Sequence, residues 1–381
     1  MQIGRFKLDG AGQNMKKMNI GVVGCGNISG IYFKNCQLLE TTKIVACADI
    51  LLERAEAKAK EFDIPKACSV DAIMHDPGID LILNLTIPKA HTEIALAAIK
   101  AGKHVYGEKP LAIKRSDGLK ILEAARQKKV RVGSAPDTFL GGSIQTCRKL
   151  IDDGWIGEPI GATAFMTCRG HESWHPDPEF YYKTGGGPML DMGPYYLTAL
   201  VNLMGSIKRV SGATRVTFPT RLITSKPKFG TVIKVDTPTH IAGTLEFSNG
   251  AIGTIITTFD VWAAQLPRIE IYGTLGSLSV PDPNGFGGTV KMFRPGQADW
   301  AEVPLAYGYT ENSRGLGVAD MAAAIQSGRP HRASGELAYH VLDVMLSFED
   351  ACRSGKYVNL KSTCKQPALF PIGLRNGTVD L

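Results

Sequence analysis

Residues 18–30, MNIGVVGCGNISG, restrict the start of this chain to very few folds. The apolar run from Ile20 to Val23 stops at Gly24-Cys25-Gly26, and Asn27, Ile28 and Ser29 then open a helix-like stretch through Ile31, Phe33 and Leu38. A buried strand, a glycine turn and a helix N-terminus together offer close backbone approach, free N–H donors and the positive end of a helix dipole. A nucleotide pyrophosphate needs all three. Ser29 stands where the fingerprint has Gly or Ala, with Gly30 just after it. A second strand reads over 43–48 (KIVACA) and ends on Asp49, spaced to accept both ribose hydroxyls of an adenosine. The stretch predicts a dinucleotide site built from Gly24, Gly26, Asn27, Ile28 and Asp49. The alternative for Asp49 is a cap on the helix carrying Glu53 and Arg54.

A chain of 381 residues is too long for one ordinary core and fits two domains. A hydrophobic fraction of 44% with 21% charged residues is that of a globular protein. The net charge of +7 is scattered rather than striped, which argues against nucleic acid and is compatible with an anionic cofactor or substrate. Eight cysteines form no CxxC pair and no ligand-like spacing with histidine, so they read as reduced, buried thiols, not as disulfides or a metal site. No apolar run reaches membrane-spanning length, and the first residues lack a signal-peptide core. A cytoplasmic protein is expected, with 1–17 as an N-terminal extension before the first strand.

From 18 to about 136, short β-rich runs alternate with amphipathic helical stretches: helices over 53–62, 91–101 and 116–128, and strands over 80–86, 104–106 and 130–133. This is the pattern of a doubly wound parallel sheet, an α/β Rossmann domain. The texture changes after Ala135-Pro136. A helix over 143–153 leads into long strands at 161–169, 210–218, 240–247, 251–260, 268–272 and 289–294, with Ser248-Asn249-Gly250 as a hairpin turn. The second domain, 137–381, is therefore expected to be α+β with one large, mainly antiparallel open sheet. Helices over 193–204, 319–327 and 336–353 are expected to cover one face, and a second subunit the other, giving a homodimer or homotetramer.

The strand-end run Gly102-Lys103-His104-Val105-Tyr106-Gly107-Glu108-Lys109-Pro110-Leu111-Ala112, arriving after the glycine turn and Asp49, resembles the signature of the Gfo/Idh/MocA family. The resemblance continues through Pro88 and His91, through 139–157 and through 185–191, and so covers nearly the whole chain. It implies a nicotinamide-dependent oxidoreductase acting on sugars, cyclitols and related compounds, with its site in the cleft between two domains. It implies that Thr86, Pro88, His91, Glu108 and Lys109 lie along the cofactor, with Lys109 also facing the substrate. An ammonium at the carboxyl end of a parallel sheet can orient a hydroxyl and stabilise developing alkoxide charge. Burial is expected to lower its pKa.

The second half of the family's site is an acid followed four positions later by histidine. In Gly185-Gly186-Gly187-Pro188-Met189-Leu190-Asp191-Met192-Gly193-Pro194-Tyr195, Asp191 matches the acid and Tyr195 stands in place of the histidine. Three candidates for the base remain open: a Tyr195 phenolate favoured by Lys109, Lys109 itself, or His175 from the preceding loop. That loop, GHESWHPDPEFYYK, offers Trp174, His175 and Tyr182 as substrate contacts, with aromatic faces for ring C–H surfaces and polar groups for hydroxyls. His171 and His175 are an i, i+4 pair, but the prolines argue against a helix there and the family's hydride transfer needs no metal.

Asp49 favours NAD, because its carboxylate would repel a 2′-phosphate and Ile50-Leu51-Leu52 supply no cation, although Arg54 keeps NADP open. The expected function is hydride transfer between nicotinamide and a ring secondary alcohol of a sugar, cyclitol or glycoside. Two alternatives stand beside it. One is an enzyme with tightly held NAD that oxidises a glycoside to its keto form or cleaves it by transient oxidation. The other is a non-catalytic NAD-binding sensor.

Overall fold

The computed structural model describes residues 16–381. The expected extension over 1–17 therefore lies outside the described residues, apart from Lys16 and Lys17, which precede the first strand without regular structure.

The first half alternates β1 (Met18–Val23), α1 (Ser29–Leu38), β2 (Thr42–Ala48), α2 (Leu52–Glu61), β3 (Ala67–Cys68), α3 (Val70–His75), β4 (Leu81–Asn84), α4 (His91–Lys100), β5 (His104–Gly107), α5 (Arg115–Lys128) and β6 (Val132–Ser134). Every strand pair is parallel, and the order is β3-β2-β1-β4-β5-β6. The strands are buried on both faces: Ile20, Val22 and Val23 in β1 and Leu81, Ile82 and Leu83 in β4 are all covered. The order reverses between β1 and β4, so the crevice outside their carboxyl ends is the place for a ligand. The doubly wound expectation holds. The pair β3–α3 was not legible, since a two-residue strand leaves no alternation to read.

The second half contains α6 (Gly142–Asp152), β7 (Pro159–Thr167), α7 (Gly187–Met204), β8 (Ile207–Arg215), β9 (Thr220–Leu222), β10 (Val232–Lys234), β11 (His240–Phe247), β12 (Ile252–Thr258), β13 (Ile269–Gly273), β14 (Gly276–Val280), β15 (Val290–Phe293), β16 (Ala301–Val303), α8 (Leu316–Ser327), α9 (Gly335–Ser354) and β17 (Val358–Asn359). Nine strands form one open sheet in the order β16-β15-β14-β13-β7-β12-β11-β8-β17, antiparallel except for the parallel pair β7–β12. The hairpin turn at 248–250 joins β11 to β12 as expected, with Gly250 at φ +91°. β9 and β10 form a separate two-stranded ribbon.

Two expectations about helices need correction. The helix expected from Gly193 begins at Gly187: Pro188 sits in its first turn, where a missing N–H costs nothing, so the glycine-rich run is largely the helix itself. The helix expected over 319–327 does not lie on the second sheet. α8 packs on α1, β2 and β6 of the nucleotide half, with Thr41 Oγ donating to the Ala319 carbonyl at 3.2 Å. Asp137 caps it, Oδ2 accepting from the N–H groups of Gly315 and Gly317 at 2.9 and 3.0 Å. α9 lies between α5, α7 and β8, and the tail returns to the first half, where the Glu40 N–H donates to the Gly377 carbonyl at 2.9 Å.

The eight cysteines are free, with Cys25, Cys36, Cys47 and Cys147 buried. Among the described residues no helix is long and apolar enough to cross a membrane.

Candidate active site

The glycine turn has the shape a pyrophosphate needs. Gly24 sits at φ +102°, and a Cβ there would lie 2.7 Å from the carbonyl of Leu85, so only glycine fits between β1 and β4. A Cβ on Gly26, by contrast, would meet nothing within 4 Å. That open space adjoins the N-terminus of α1, which has no side-chain cap and no acid in its first turn. Asn27 and Ile28 are exposed there. Ser29 satisfies the fingerprint by being small: it is fully buried, and its Oγ donates to the Gly26 carbonyl at 2.7 Å. The residues present fit a dinucleotide.

Asp49 ends β2 beside this turn. Its Oδ2 accepts from the Cys25 N–H at 2.8 Å and its Oδ1 from the Leu51 N–H at 3.0 Å. The capping and cofactor readings of Asp49 are therefore compatible, since the carboxylate braces both the glycine turn and the entry to α2. Thr86 and Pro88 follow β4, with the Thr86 hydroxyl and N–H donating to Asn84 Oδ1 at 2.6 and 3.2 Å. The expected cofactor contacts His91 and Glu108 turn out to be engaged by the protein. His91 is buried, with Nδ1 2.7 Å from the Pro110 carbonyl and Nε2 3.0 Å from that of Thr86, which ties the β4 loop to the β5 loop. Burial lowers its pKa. Glu108 accepts from the Tyr32 hydroxyl at 2.7 Å and from the Lys109 N–H at 3.0 Å.

Lys109 leaves β5 and crosses to α7. Its Nζ donates to Asp191 Oδ1 at 2.9 Å and to the Asp191 carbonyl at 2.7 Å. Pro194, inside α7, has no N–H to give to the Leu190 carbonyl one turn before it. One turn on, the Tyr195 ring lies under the ammonium, 5.1 Å from Nζ to centroid. Burial pulls the Lys109 pKa down, but the charges of Asp191 and Glu108 and the hydrogen bond to Asp191 outweigh it and hold the ammonium above the ordinary lysine value. The expectation that burial would lower this pKa is thus overturned. Burial opposes ionisation of Asp191 too, but Lys109 and His171 overcome it and bring the carboxyl down to about 2.

The Tyr195 phenolate is not favoured. Burial holds the phenol above its usual range despite the pull of Lys109 and Arg314 in the other direction. His175 stands apart. Its Nδ1 accepts from the Asp177 N–H at 3.0 Å, its ring packs edge-on against Trp174, Phe180 and Tyr181, and burial lowers its pKa. Tyr182 is removed from the cleft altogether: it is fully buried, and its hydroxyl is hydrogen-bonded to Glu172 and accepts from the His171 N–H at 3.1 Å. Trp174 keeps 61% of its surface exposed.

The histidine that reaches Asp191 is His171, which was absent from the expected catalytic set. Its Nε2 lies 3.2 Å from Asp191 Oδ2, so the carboxylate bridges the imidazole and the ammonium. The sequence signal was a histidine right after Gly170 at the end of a strand, but it is 20 residues from the acid rather than four. Among the described residues no three His, Cys, Asp or Glu side chains gather as a metal site.

A phosphate cradle at the switch point of one sheet, joined by an ion pair to a helix of the second half, defines the class: a two-domain oxidoreductase built around a dinucleotide. Comparison with known families narrows this, and the chain belongs to the GFO/IDH/MocA family. Residues 18–135 match the oxidoreductase family's NAD-binding Rossmann fold, and 144–279 match the GFO/IDH/MocA C-terminal domain. Among its relatives, myo-inositol 2-dehydrogenase of Thermotoga maritima is 25% identical over 262 residues, covering 68% of this chain and 74% of the relative. Levoglucosan dehydrogenase of Pseudarthrobacter phenanthrenivorans is 26% identical over 294 residues, covering 69% and 73%. The fold matches a solved levoglucosan dehydrogenase in complex with NADH and L-sorbose at a TM-score of 0.76 and 21% identity, over 91% of this chain and all of that one. This protein is an NAD-binding oxidoreductase.

Proposed function

We propose that the enzyme transfers hydride reversibly between NAD and a secondary alcohol on the ring of a sugar, cyclitol or glycoside. The observation that carries this reading is the Lys109–Asp191 pair, fixed at 2.9 Å between the carboxyl end of β5 and the first turns of α7. Both side chains keep 16% of their surface open, so the ammonium can turn one N–H to a substrate oxygen while Asp191 holds it in place. The nicotinamide, when bound, takes up the hydride. Lys109 orients the hydroxyl and stabilises charge on its oxygen, a preorganised contribution of the oxyanion-hole kind. Tyr195 forms the floor beneath the ammonium, and exposed Trp174 offers a face for ring C–H groups. The relatives named for inositol and levoglucosan support a cyclic polyol substrate.

NAD is preferred over NADP because Asp49 puts a carboxylate beside the glycine turn. The outer face of the large sheet, where Ile252 is 62% exposed on β12, is the surface on which a second copy would pair. The direct test is a panel of cyclitols, aldoses and glycosides assayed for NAD reduction, with Lys109→Met alongside. Turnover that depends on Lys109 supports the reading. Absence of turnover with every ring alcohol, or full activity in Lys109→Met, defeats it.

A further inference from the structure

Oxidation of an alcohol needs a group that is unprotonated at rest and can accept the hydroxyl proton. Lys109 is an ammonium held in that form by its acidic partners, Tyr195 is a phenol held protonated by burial, and Asp191 is too weak a base. His171 is the one imidazole bonded into this set. Its Nε2 faces Asp191 Oδ2 at 3.2 Å, which places the ring proton on that nitrogen and leaves the lone pair on Nδ1. Nδ1 is buried and has no partner among the described residues. An orphaned buried acceptor is costly unless something supplies its missing donor, and a substrate hydroxyl is such a donor.

We propose that His171 is the catalytic base of this site, taking over in space the place that Tyr195 occupies in sequence. This rests on the reading of the enzyme as a ring-alcohol dehydrogenase. In the oxidative direction the hydroxyl proton passes to His171 Nδ1. The O–H bonding pair becomes the second C–O bond, and the carbinol hydrogen leaves with its electron pair for the nicotinamide. Asp191 stabilises the imidazolium formed, and the ammonium of Lys109 stabilises the oxygen. Reduction runs the same transfers backwards.

The surroundings of His171 fit this role. Tyr181, Phe259 and Trp174 box the ring, with centroids at 4.1, 4.6 and 5.2 Å. Its backbone N–H is held by Tyr182, Tyr182 by Glu172, and Glu172 by Arg221 at 2.8 Å. Arg221, buried on the β9–β10 ribbon, also bonds Asp260 and the carbonyls of Arg169 and Phe259. A guanidinium, two carboxylates and a phenol thus fix the peptide that carries one imidazole, the kind of supporting layer that holds a reacting group in register. The ionisable groups nearest the ring are Asp191, Tyr181, Tyr182 and Glu172, with Lys109 beyond Asp191 and His175 beyond Tyr181.

The test compares His171→Gln, His171→Ala and Tyr195→Phe with the wild type. His171→Gln is expected to lower kcat by ~10²–10⁴-fold and to remove the acidic limb of the kcat/KM profile. NAD affinity, measured by quenching of protein fluorescence, should stay within about threefold, since the cradle is untouched. Added imidazole is expected to restore part of the turnover of His171→Ala, which a packing role would not allow. Tyr195→Phe should keep the acidic limb. In the cofactor-free protein, nitrogen-15 spectra should show a neutral ring protonated at Nε2, with this signal absent in His171→Gln. An acidic limb retained in His171→Gln and lost in Tyr195→Phe overturns the assignment, as does a ring found protonated at Nδ1 instead of Nε2. A wild type with no turnover of any ring alcohol defeats the functional reading instead. A competent wild type with competent His171→Gln defeats only the base.

Discussion

Lys109 grips Asp191 twice, through the carboxylate at 2.9 Å and through the main-chain carbonyl at 2.7 Å. The second bond matters because it remains if the carboxylate is neutralised. Asp191→Asn should therefore leave Lys109 docked on α7 while removing the negative charge that bridges it to His171. Turnover is expected to fall by ~10²-fold or more, with little change in the thermal midpoint. Lys109→Met, which leaves a mostly covered carboxylate without its partner, should lower that midpoint clearly as well as abolish turnover. Differential scanning calorimetry of the two variants decides this, and equal destabilisation would refute the two-point grip.

The two glycines of the first turn should behave differently. At Gly24 a methyl group runs into the Leu85 carbonyl at 2.7 Å in a positive-φ backbone, so Gly24→Ala is expected to destabilise the fold by ~1–3 kcal/mol. At Gly26 a methyl group meets no protein atom within 4 Å. Gly26→Ala should thus unfold like the wild type while binding NAD at least tenfold more weakly, because the methyl takes up the pyrophosphate's space. Urea unfolding and cofactor titration of the pair check both halves.

Asp49→Ser should narrow the preference for NAD over NADP, since the charge that repels a 2′-phosphate is gone while a short acceptor remains. Some stability should go too, because Asp49 also accepts from the Cys25 and Leu51 N–H groups. The ratio of kcat/KM for the two cofactors is the measurement. An unchanged ratio would remove Asp49 from the selectivity argument.

His340 gives a pH signature far from the site. It is fully buried on α9, with Nε2 accepting from the Ile207 N–H at 3.1 Å and Nδ1 2.9 Å from Ser362 Oγ, an arrangement that requires the neutral ring. Burial lowers its pKa from 6.5 to about 4. With the folded value below the unfolded one, the unfolded chain binds the extra proton, so stability is full above about pH 6.5 and drains away as pH falls toward 4. The loss attributable to this ring is at most roughly 3 kcal/mol. Unfolding free energies at pH 7 and pH 4.5 should differ more in the wild type than in His340→Gln, and parallel losses would refute the assignment.

Strand–turn–helix alternation and the Lys109 motif made the nucleotide half and the large sheet legible, because buried parallel strands and long alternating strands each leave a direct pattern in the chain. What escaped was set by contacts between distant residues. The start of α7 was hidden by its glycines, although Pro188 marked it. The Lys109 pKa was expected to be depressed by burial alone, whereas the acids that raise it arrive from α7 and from Glu108. His171 was passed over because a four-residue spacing was sought from Asp191, and a loop can deliver an imidazole to the same oxygen from 20 positions away.

The route of the chain through its two halves has a practical consequence. α8 belongs by sequence to the second half but lies against α1, β2 and β6, where Met321 packs close to Gly133. A fragment severed after Ser134 would strip that flank of the parallel sheet and bare the apolar side chains that α8 covers. The nucleotide half is consequently no portable cassette: grafted elsewhere, it would have to carry the helix from residue 316 onward to stay soluble.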